Sequence, residues 1–437
     1  MKRRQFLKTS ALAGAGVAMA NSGLAQAAAS VNDINVGIIG VGKQGMVLLR
    51  DCLKIPGLRF KAVCDIWEFS QRYGSRTLQK YGHEPTVYVD YLEMLDKEKD
   101  LDAVIVATPD FVHAEHTKAC LKAGKHVYCE KEMSNTLDQA KAMVVAANDS
   151  GKLLQIGHQR RSNPVYLHTL DAIRTENLCG RLTNCYGQWN RPVQDKLTWP
   201  ERYAIEPAKL QEYGYASMDH FRNWRWYRTY SAGPIADLGS HQIDIFSWFY
   251  NAEPHALVAV GGNDYYGDRE WYEDVMVTYE YMAKHAGGTG SARGFYQVLN
   301  TTGFGNYYER FQGDQGTIVI SENPKICSYT PEATGTPPSW AVSGEAVNIG
   351  AGSMGYPLID ALRKRSDAAA ADLADWDKKN VHQLHLENFF QAVRANDKSV
   401  LTCPPEVAYP TAVAVLSAIP AIEAGKKVTL TESDYHV

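Results

Sequence analysis

The stretch that most constrains this chain runs from Val36 to Gly45. Val36-Gly37-Ile38-Ile39 is a short apolar run, and Gly40-x-Gly42-x-x-Gly45 follows it directly. A strand that turns into a helix through such glycines lets backbone approach a pyrophosphate and aims a helix N-terminus at it. Met46, Val47, Leu48, Leu49, Cys52 and Leu53 then form an apolar helical stripe, and a second strand, Leu58–Cys64, ends in Asp65. An acid at that distance binds the adenosine ribose and repels a 2′-phosphate, so the segment predicts NAD rather than NADP.

The same alternation continues. Asp102–Ala107, His126–Cys129 and Leu153–Gly157 read as short buried strands, separated by helical stretches through Cys120–Ala123 and Leu137–Ala147. Strands alternating with helices give a parallel sheet covered on both faces, and ligands bind outside the carboxyl ends of its strands. Those ends carry Thr108-Pro109-Asp110 with His113 close behind, Glu130-Lys131, and His158-Gln159. After Gly157 the pattern changes to period-two alternation in Leu182–Trp189, Glu273–Tyr281, Gly294–Asn300, Tyr307–Gln312 and Thr317–Ser321, which predicts an antiparallel sheet with one covered face. The expected organisation is a Rossmann-type α/β domain over 33–158, then an α+β domain over 159–437. Its closing helices, His382–Ala395 and Val407–Ala424, return to pack on the body. A stretch rich in Gly, Pro, Ser and Thr from Pro331 to Gly355 reads as a long loop.

Residues 1–29 read as a targeting segment. Arg3-Arg4 with Phe6-Leu7 and Lys8 precedes a weakly apolar Ala/Gly run and small residues at Ala25-Gln26-Ala27, which resembles a twin-arginine export signal. The apolar run is too short to span a bilayer as a helix. That resemblance implies a periplasmic protein folded, with its ligand inside, before export. The 8 cysteines include no CxxC and are expected to be buried free thiols, with Cys179 and Cys185 the pair that most invites a disulfide. The balance of 45 basic and 49 acidic residues, with no basic stripe, gives no sign of a nucleic-acid partner.

Within Ala232–Asp244, Asp237 and His241 stand four apart in an apolar run, sharing one face if the stretch is helical. Upstream lies an insertion holding Trp199, Tyr203, Tyr213, Tyr215, Phe221, Trp224, Trp226, Tyr227 and Tyr230, interleaved with Arg222, Arg225 and Arg228. Most of these rings are expected to be packing and one or two to face a sugar ring. His113-x-x-His116 lacks a third ligand, so no metal is expected.

Gly40–Gly45, Thr108-Pro109-Asp110-x-x-His113, Gly124-Lys125-His126-Val127, Glu130-Lys131 and Asp237-x-x-x-His241, in this order, resemble the Gfo/Idh/MocA family of nicotinamide-dependent oxidoreductases. The resemblance implies that Lys131 lies near the nicotinamide and that Lys131, Asp237 and His241 are catalytic. It also implies an open sheet carrying subunit contacts, hence a homo-oligomer. One departure stands out: Glu132 occupies the place of the family's proline after Lys131, removing the restriction that proline puts on its predecessor. Candidate cofactor contacts are Gly40, Gly42, Gly45, Asp65, Thr108, Pro109, Asp110, His113, Glu130 and Lys131. Candidate substrate contacts are His158, Arg161, Trp224, Trp226, Tyr227 and Asp244.

The expected reaction moves a hydride between a secondary alcohol of a sugar or glycoside, with C3 the favoured carbon, and a tightly held NAD; His241 is expected to take the hydroxyl proton, Lys131 to polarise the same oxygen and Asp237 to orient the imidazole. Oxidation at C3 would prepare elimination by a partner lyase. Two alternatives stay open: an NAD-dependent glycosidase working by transient oxidation and elimination, and a non-catalytic sugar-binding protein with a structural dinucleotide.

Overall fold

The computed structural model describes residues 33–350 and 353–437; the expected twin-arginine signal lies outside the described residues. Six parallel strands form the first sheet: β1 (Ile34–Ile39), β2 (Leu58–Cys64), β3 (Thr86–Tyr88), β4 (Ala103–Val106), β5 (His126–Cys129) and β6 (Leu154–Ile156), in the order β3-β2-β1-β4-β5-β6. All of β4 is buried, as a strand covered on both faces must be. One layer of its core joins Ile38, Leu48, Leu49, Phe60 and Tyr128 to Leu386, Phe389 and Phe390. The last three come from the helix Val381–Ala395, so the C-terminal part of the chain completes the first sheet's packing. Each phenylalanine so buried contributes roughly 1.5–3 kcal/mol.

The second sheet has ten strands: β7 (Leu182–Asn190), β8 (Pro254–Gly262), β9 (Asp274–His285), β10 (Gly288–Leu299), β11 (Tyr307–Gly313), β12 (Gly316–Ile320), β13 (Ser328–Pro331), β14 (Val347–Gly350), β15 (Ser353–Pro357) and β16 (Val428–Thr429). Along β9 the buried Val275, Val277, Tyr279 and Tyr281 alternate with half-buried neighbours. The sheet is not wholly antiparallel: β7 and β10 run parallel in the centre, because the long segment between β7 and β8 brings the chain back before the β8-β9-β10 meander begins. The expected loop from Pro331 to Gly355 contains β14 and most of β15, whose glycines and serines concealed a hairpin.

The inner face of this sheet carries the helix Ser240–Tyr250. Two glycines let it come close. A Cβ on Gly187 of β7 would lie 2.8 Å from Phe246, and one on Gly239, just before the helix, 2.8 Å from Tyr296 of β10. The expected helix Val407–Ala424 is two, Pro405–Leu416 and Ala418–Ala424. This 20-residue stretch is apolar enough to cross a bilayer by composition, yet it is mostly buried and packs on the helices Leu137–Ser150 and Ser240–Tyr250. All eight cysteines are buried and free, Cys179 and Cys185 included.

Candidate active site

The segment Pro234–Tyr250 is not one α-helix. Ile235–Gly239 is π-helical and only Ser240–Tyr250 is α-helical. A π turn is wider than an α turn, which takes Asp237 and His241 out of the simple i,i+4 relation. No hydrogen bond joins them; cations surround Asp237 instead. The Lys131 ammonium donates to its backbone carbonyl and stands 3.7 Å from Oδ1. Arg225 Nε donates to Oδ1 at 3.1 Å, and Arg191 lies 3.5 Å from Oδ2. Burial alone would raise the pKa of Asp237, but Arg225, Lys131 and Arg191 override it and hold the carboxyl well below its usual range. The expected role of Asp237 in orienting His241 is therefore replaced by one in fixing Lys131.

Lys131 reaches this position although Glu132 follows it; the Lys131–Glu132 peptide is cis. The Glu132 side chain is fully buried, with one oxygen accepting from Met133 N at 2.9 Å and the other without a partner. Burial pushes its pKa up to about 7.

His241 is buried, with Nδ1 unpartnered. Its ring lies 5.2 Å from Trp189, which stacks on Tyr307 at 4.5 Å. Beneath, the buried Arg160 guanidinium lies 5.7 Å from the Trp189 ring, held by Glu309 and Glu322. Burial, then the charges of Lys131 and Arg160, lower the His241 pKa well below 6.5, so the imidazole is neutral and able to accept a proton.

At the other end of the crevice the glycine loop has the form a dinucleotide requires. Gly40 has φ +86° and a Cβ there would strike Ala107 O at 2.7 Å; a Cβ on Gly45 would lie 2.0 Å from Gly40 O. Gly42 differs, since a Cβ there would meet no protein atom within 4 Å. Packing does not demand that glycine, but close approach of a ligand does. No side chain caps the helix Lys43–Cys52, leaving its N-terminal N–H groups for a pyrophosphate. Asp65 accepts from Val41 N at 2.8 Å and Trp67 N at 2.9 Å, and burial raises its pKa to about 6. Glu130 accepts from Gln44 at 3.2 Å, tying the Lys131 loop to the glycine helix. Thr108 abuts Gly40, and Pro109 precedes the helix Asp110–Lys122.

His113 is placed otherwise than expected. It is fully buried, with Nδ1 2.7 Å from Glu132 O and Nε2 2.7 Å from Thr108 O. A ring facing two carbonyl oxygens donates twice and is therefore an imidazolium. Burial opposes the charge, yet Cys129, Asp110 and the Glu132 carbonyl hold its pKa up to about 10. It braces the Thr108 and Lys131 loops against each other rather than touching a cofactor. Asp110, 4% exposed, sits within the same brace.

The candidate substrate contacts divide. Arg161 forks onto Asp244 at 2.7–2.9 Å, Thr411 adds a bond at 2.9 Å, and His158 lies 4.0 Å away. Arg161, Asp244 and Thr411 thus close on one another and offer a ligand no free group, whereas both ring nitrogens of the buried His158 are without a hydrogen-bond partner. Burial lowers the His158 pKa to about 4 against the pull of Asp244. Tyr227 is buried, bonded to Asp219 and stacked on His220. Trp224 lies beneath Arg225, 4.1 Å from its guanidinium carbon. Trp226 alone of these lines the cavity beside Asp237, with Arg191, Arg225, Arg269, Trp271 and Asn300. Most of the insertion is packing: Tyr215, Tyr227 and Tyr230 form a cluster with Trp67 and Phe111 of the first domain, Trp67 donates to Tyr203 O at 2.6 Å, and Arg222 lies 4.4 Å over Trp67.

Sequence reasoning missed Arg160, Trp189, Arg191 and Arg269. The period of β7 carried one signal, because Trp189 and Arg191 stand two apart at its end.

Two family models match the chain. The Oxidoreductase family, NAD-binding Rossmann fold model matches residues 34–158, and the GFO/IDH/MocA C-terminal domain model residues 208–319. The chain belongs to the Gfo/Idh/MocA family. An inositol 2-dehydrogenase/D-chiro-inositol 3-dehydrogenase of Shouchella clausii is 34% identical over 258 residues, 58% of each chain. A glycosyl hydrolase family 109 protein of Shewanella amazonensis is 26% identical over 298 residues, 62% of each chain. The chain thus spans about three-fifths of the length of these curated relatives. Levoglucosan dehydrogenase in complex with NADH and levoglucosan has the same fold, at TM-score 0.66 and 17% identity, with 92% of this chain and 100% of that chain covered.

Proposed function

We propose that this Gfo/Idh/MocA protein is an NAD-dependent oxidoreductase that transfers a hydride between a secondary alcohol of a sugar or glycoside, C3 favoured, and a retained NAD. The observation that carries the reading is Lys131 anchored on the Asp237 carbonyl, four residues before the buried His241 whose Nδ1 has no partner, in a chain whose glycine loop leaves Gly42 open to a ligand. Gly40, Gly42, Gly45, Asp65 and the N-terminus of Lys43–Cys52 would hold the dinucleotide, which when bound supplies the hydride acceptor. His241 takes the hydroxyl proton as the carbinol C–H bond breaks. Lys131 keeps an N–H for the developing alkoxide after its contacts with Asp237 are made. In the reverse direction His241 returns the proton to the oxygen.

The insertion cluster on Trp67 and Phe111 supports retention of NAD, since it spans the Asp65 end of the crevice. The rest of the proposal is a periplasmic site reached folded by the twin-arginine route, for which Arg3-Arg4 and the absence of any disulfide are the support. A homo-oligomer through the second sheet is supported by the exposed Val258, Val260 and Met282, and a partner lyase would consume the ketone.

Denaturing the purified protein and identifying the released nucleotide and its redox state, before and after incubation with glycosides, tests the reading. Reduced nucleotide after sugar is expected; an unchanged redox state with every sugar overturns it. The likeness to the family 109 protein favours one alternative, a glycosidase acting by transient oxidation. Free sugar released from an aryl glycoside with no added acceptor would support it, whereas a keto-glycoside that accumulates with an acceptor supports the dehydrogenase.

A further inference from the structure

The cavity beside Asp237 holds more positive charge than proton and hydride transfer require. Arg191, Arg225 and Arg269 line it, against the carboxylates of Asp237 and Glu273. Glu273 spends Oε1 on the backbone N–H groups of Asp264 and Tyr265, each at 2.6 Å, and its buried Oε2 has no partner. Asp237 already answers to Lys131 besides the arginines. Every guanidinium also lies on an aromatic ring. Arg191 is 5.5 Å from the Trp189 centroid, Arg225 4.1 Å from Trp224, and Arg269 3.8 Å from Trp226 and 3.3 Å from Tyr266. Stacking fixes the plane of a guanidinium and leaves its N–H edge for in-plane acceptors. Arg269 spends Nη2 on Gln194 O at 2.7 Å, while its Nε is buried without a partner.

A neutral sugar presents hydroxyls, which need a mixture of donors and acceptors. Three guanidiniums against two carboxylates leave charged donors in excess, which suits an anion. We propose that the substrate ring carries an acidic group, a carboxylate or a sulfate ester, read by Arg269 together with Arg191 and Arg225. This inference rests on the sugar-oxidoreductase reading for the kind of ring, and the acidic group is what it adds. His241 and Lys131 work on a hydroxyl of that ring, and the arginines fix which way round the ring lies.

The test uses the holoenzyme with three matched ligands: an alkyl glucoside, the corresponding glucuronide and the glucoside 6-sulfate. Turnover and calorimetric binding are measured side by side. One acidic ligand should exceed the neutral one by about 10- to 100-fold in kcat/KM, mostly through KM, and the gap should narrow as salt rises from about 0.05 to 0.5 M. Preference for the glucuronide assigns a carboxylate, and preference for the sulfate a sulfate ester. R269Q should reduce the preference about tenfold, and R269K, which keeps charge without a fork, should restore only part of it. Equal or better turnover and binding of the neutral glucoside overturns the inference while leaving the oxidoreductase reading intact. If no ligand is turned over, the oxidoreductase reading fails, and the binding preference still decides the acidic group.

Discussion

Asp237 and Asp244 stand seven residues apart on one continuous helical segment, and both face arginine. Asp244 is fully buried, forked by Arg161 and capped by Thr411, with each of these hydrogen bonds at 2.9 Å or less. Asp237 keeps 16% of its side chain exposed and is shared by three cations, none of which forks onto it. The closed pair holds the fold, and the open, over-cationic one leaves donors for a ligand. A carboxylate–arginine contact is thus informative chiefly through what remains unsatisfied around it.

The comparison breaks most visibly in stability. D244N leaves Arg161 buried without its counter-charge and should cost about 3–5 kcal/mol in urea unfolding. D237N, whose two arginines are partly exposed, should change stability by about 1 kcal/mol while slowing turnover about 10- to 100-fold, because Lys131 then keeps only the residue 237 carbonyl and loses the carboxylate beside it. Equal destabilisation by the two substitutions would erase the distinction. Next in size, H241N should slow single-turnover sugar oxidation by about 100- to 10,000-fold without changing the amount of bound nucleotide.

Glu132 sharpens the contrast as a carboxyl with neither kind of shell. In the native state it holds its proton to about pH 7, against 4.5 for an ordinary glutamate. The unfolded chain therefore binds fewer protons than the native one across pH 4.5–7, and this group's contribution to stability falls as pH rises through that window. E132Q cannot ionise, so its unfolding free energy should gain on the parent's by roughly 1–3 kcal/mol between pH 4.5 and 7. The smallest effect is kinetic. With the His241 pKa depressed, the acid limb of kcat/KM should fall below pH 6.5, and a limb at or above that value would remove His241 as the base.

The first domain was largely legible because its signals are local. A glycine loop, a strand ending in Asp65 and apolar strands alternating with helices each declare themselves within a dozen residues. The second sheet was legible in its period, and the strands expected from alternation appear with shifted ends. Its central parallel pair was not, because pairing depends on where a long connection returns. At the site, the sequence led to Lys131, Asp237 and His241 but assigned Asp237 the wrong partner. The π turn that decides this ends at Gly239, which packs closely on Tyr296 across the sheet, a long-range contact that Ala232–Asp244 alone does not reveal. Arg161 and Asp244 looked like substrate contacts for the same reason that Arg191 and Arg269 went unnoticed. Residue type tells that a charge needs a partner, and only the fold tells whether it has found one.

The eight buried cysteines have a practical consequence. None is more than 4% exposed, so a thiol reagent can reach them only when the chain around them opens. Cys52, Cys64 and Cys129 lie in the packing of the first sheet, Cys185 and Cys327 in that of the second, and Cys403 immediately before the helix Pro405–Leu416. The order in which they become labelled is a built-in clock of local opening. Slower labelling at Cys64, next to Asp65, once nucleotide is bound would time how firmly that end of the crevice is held.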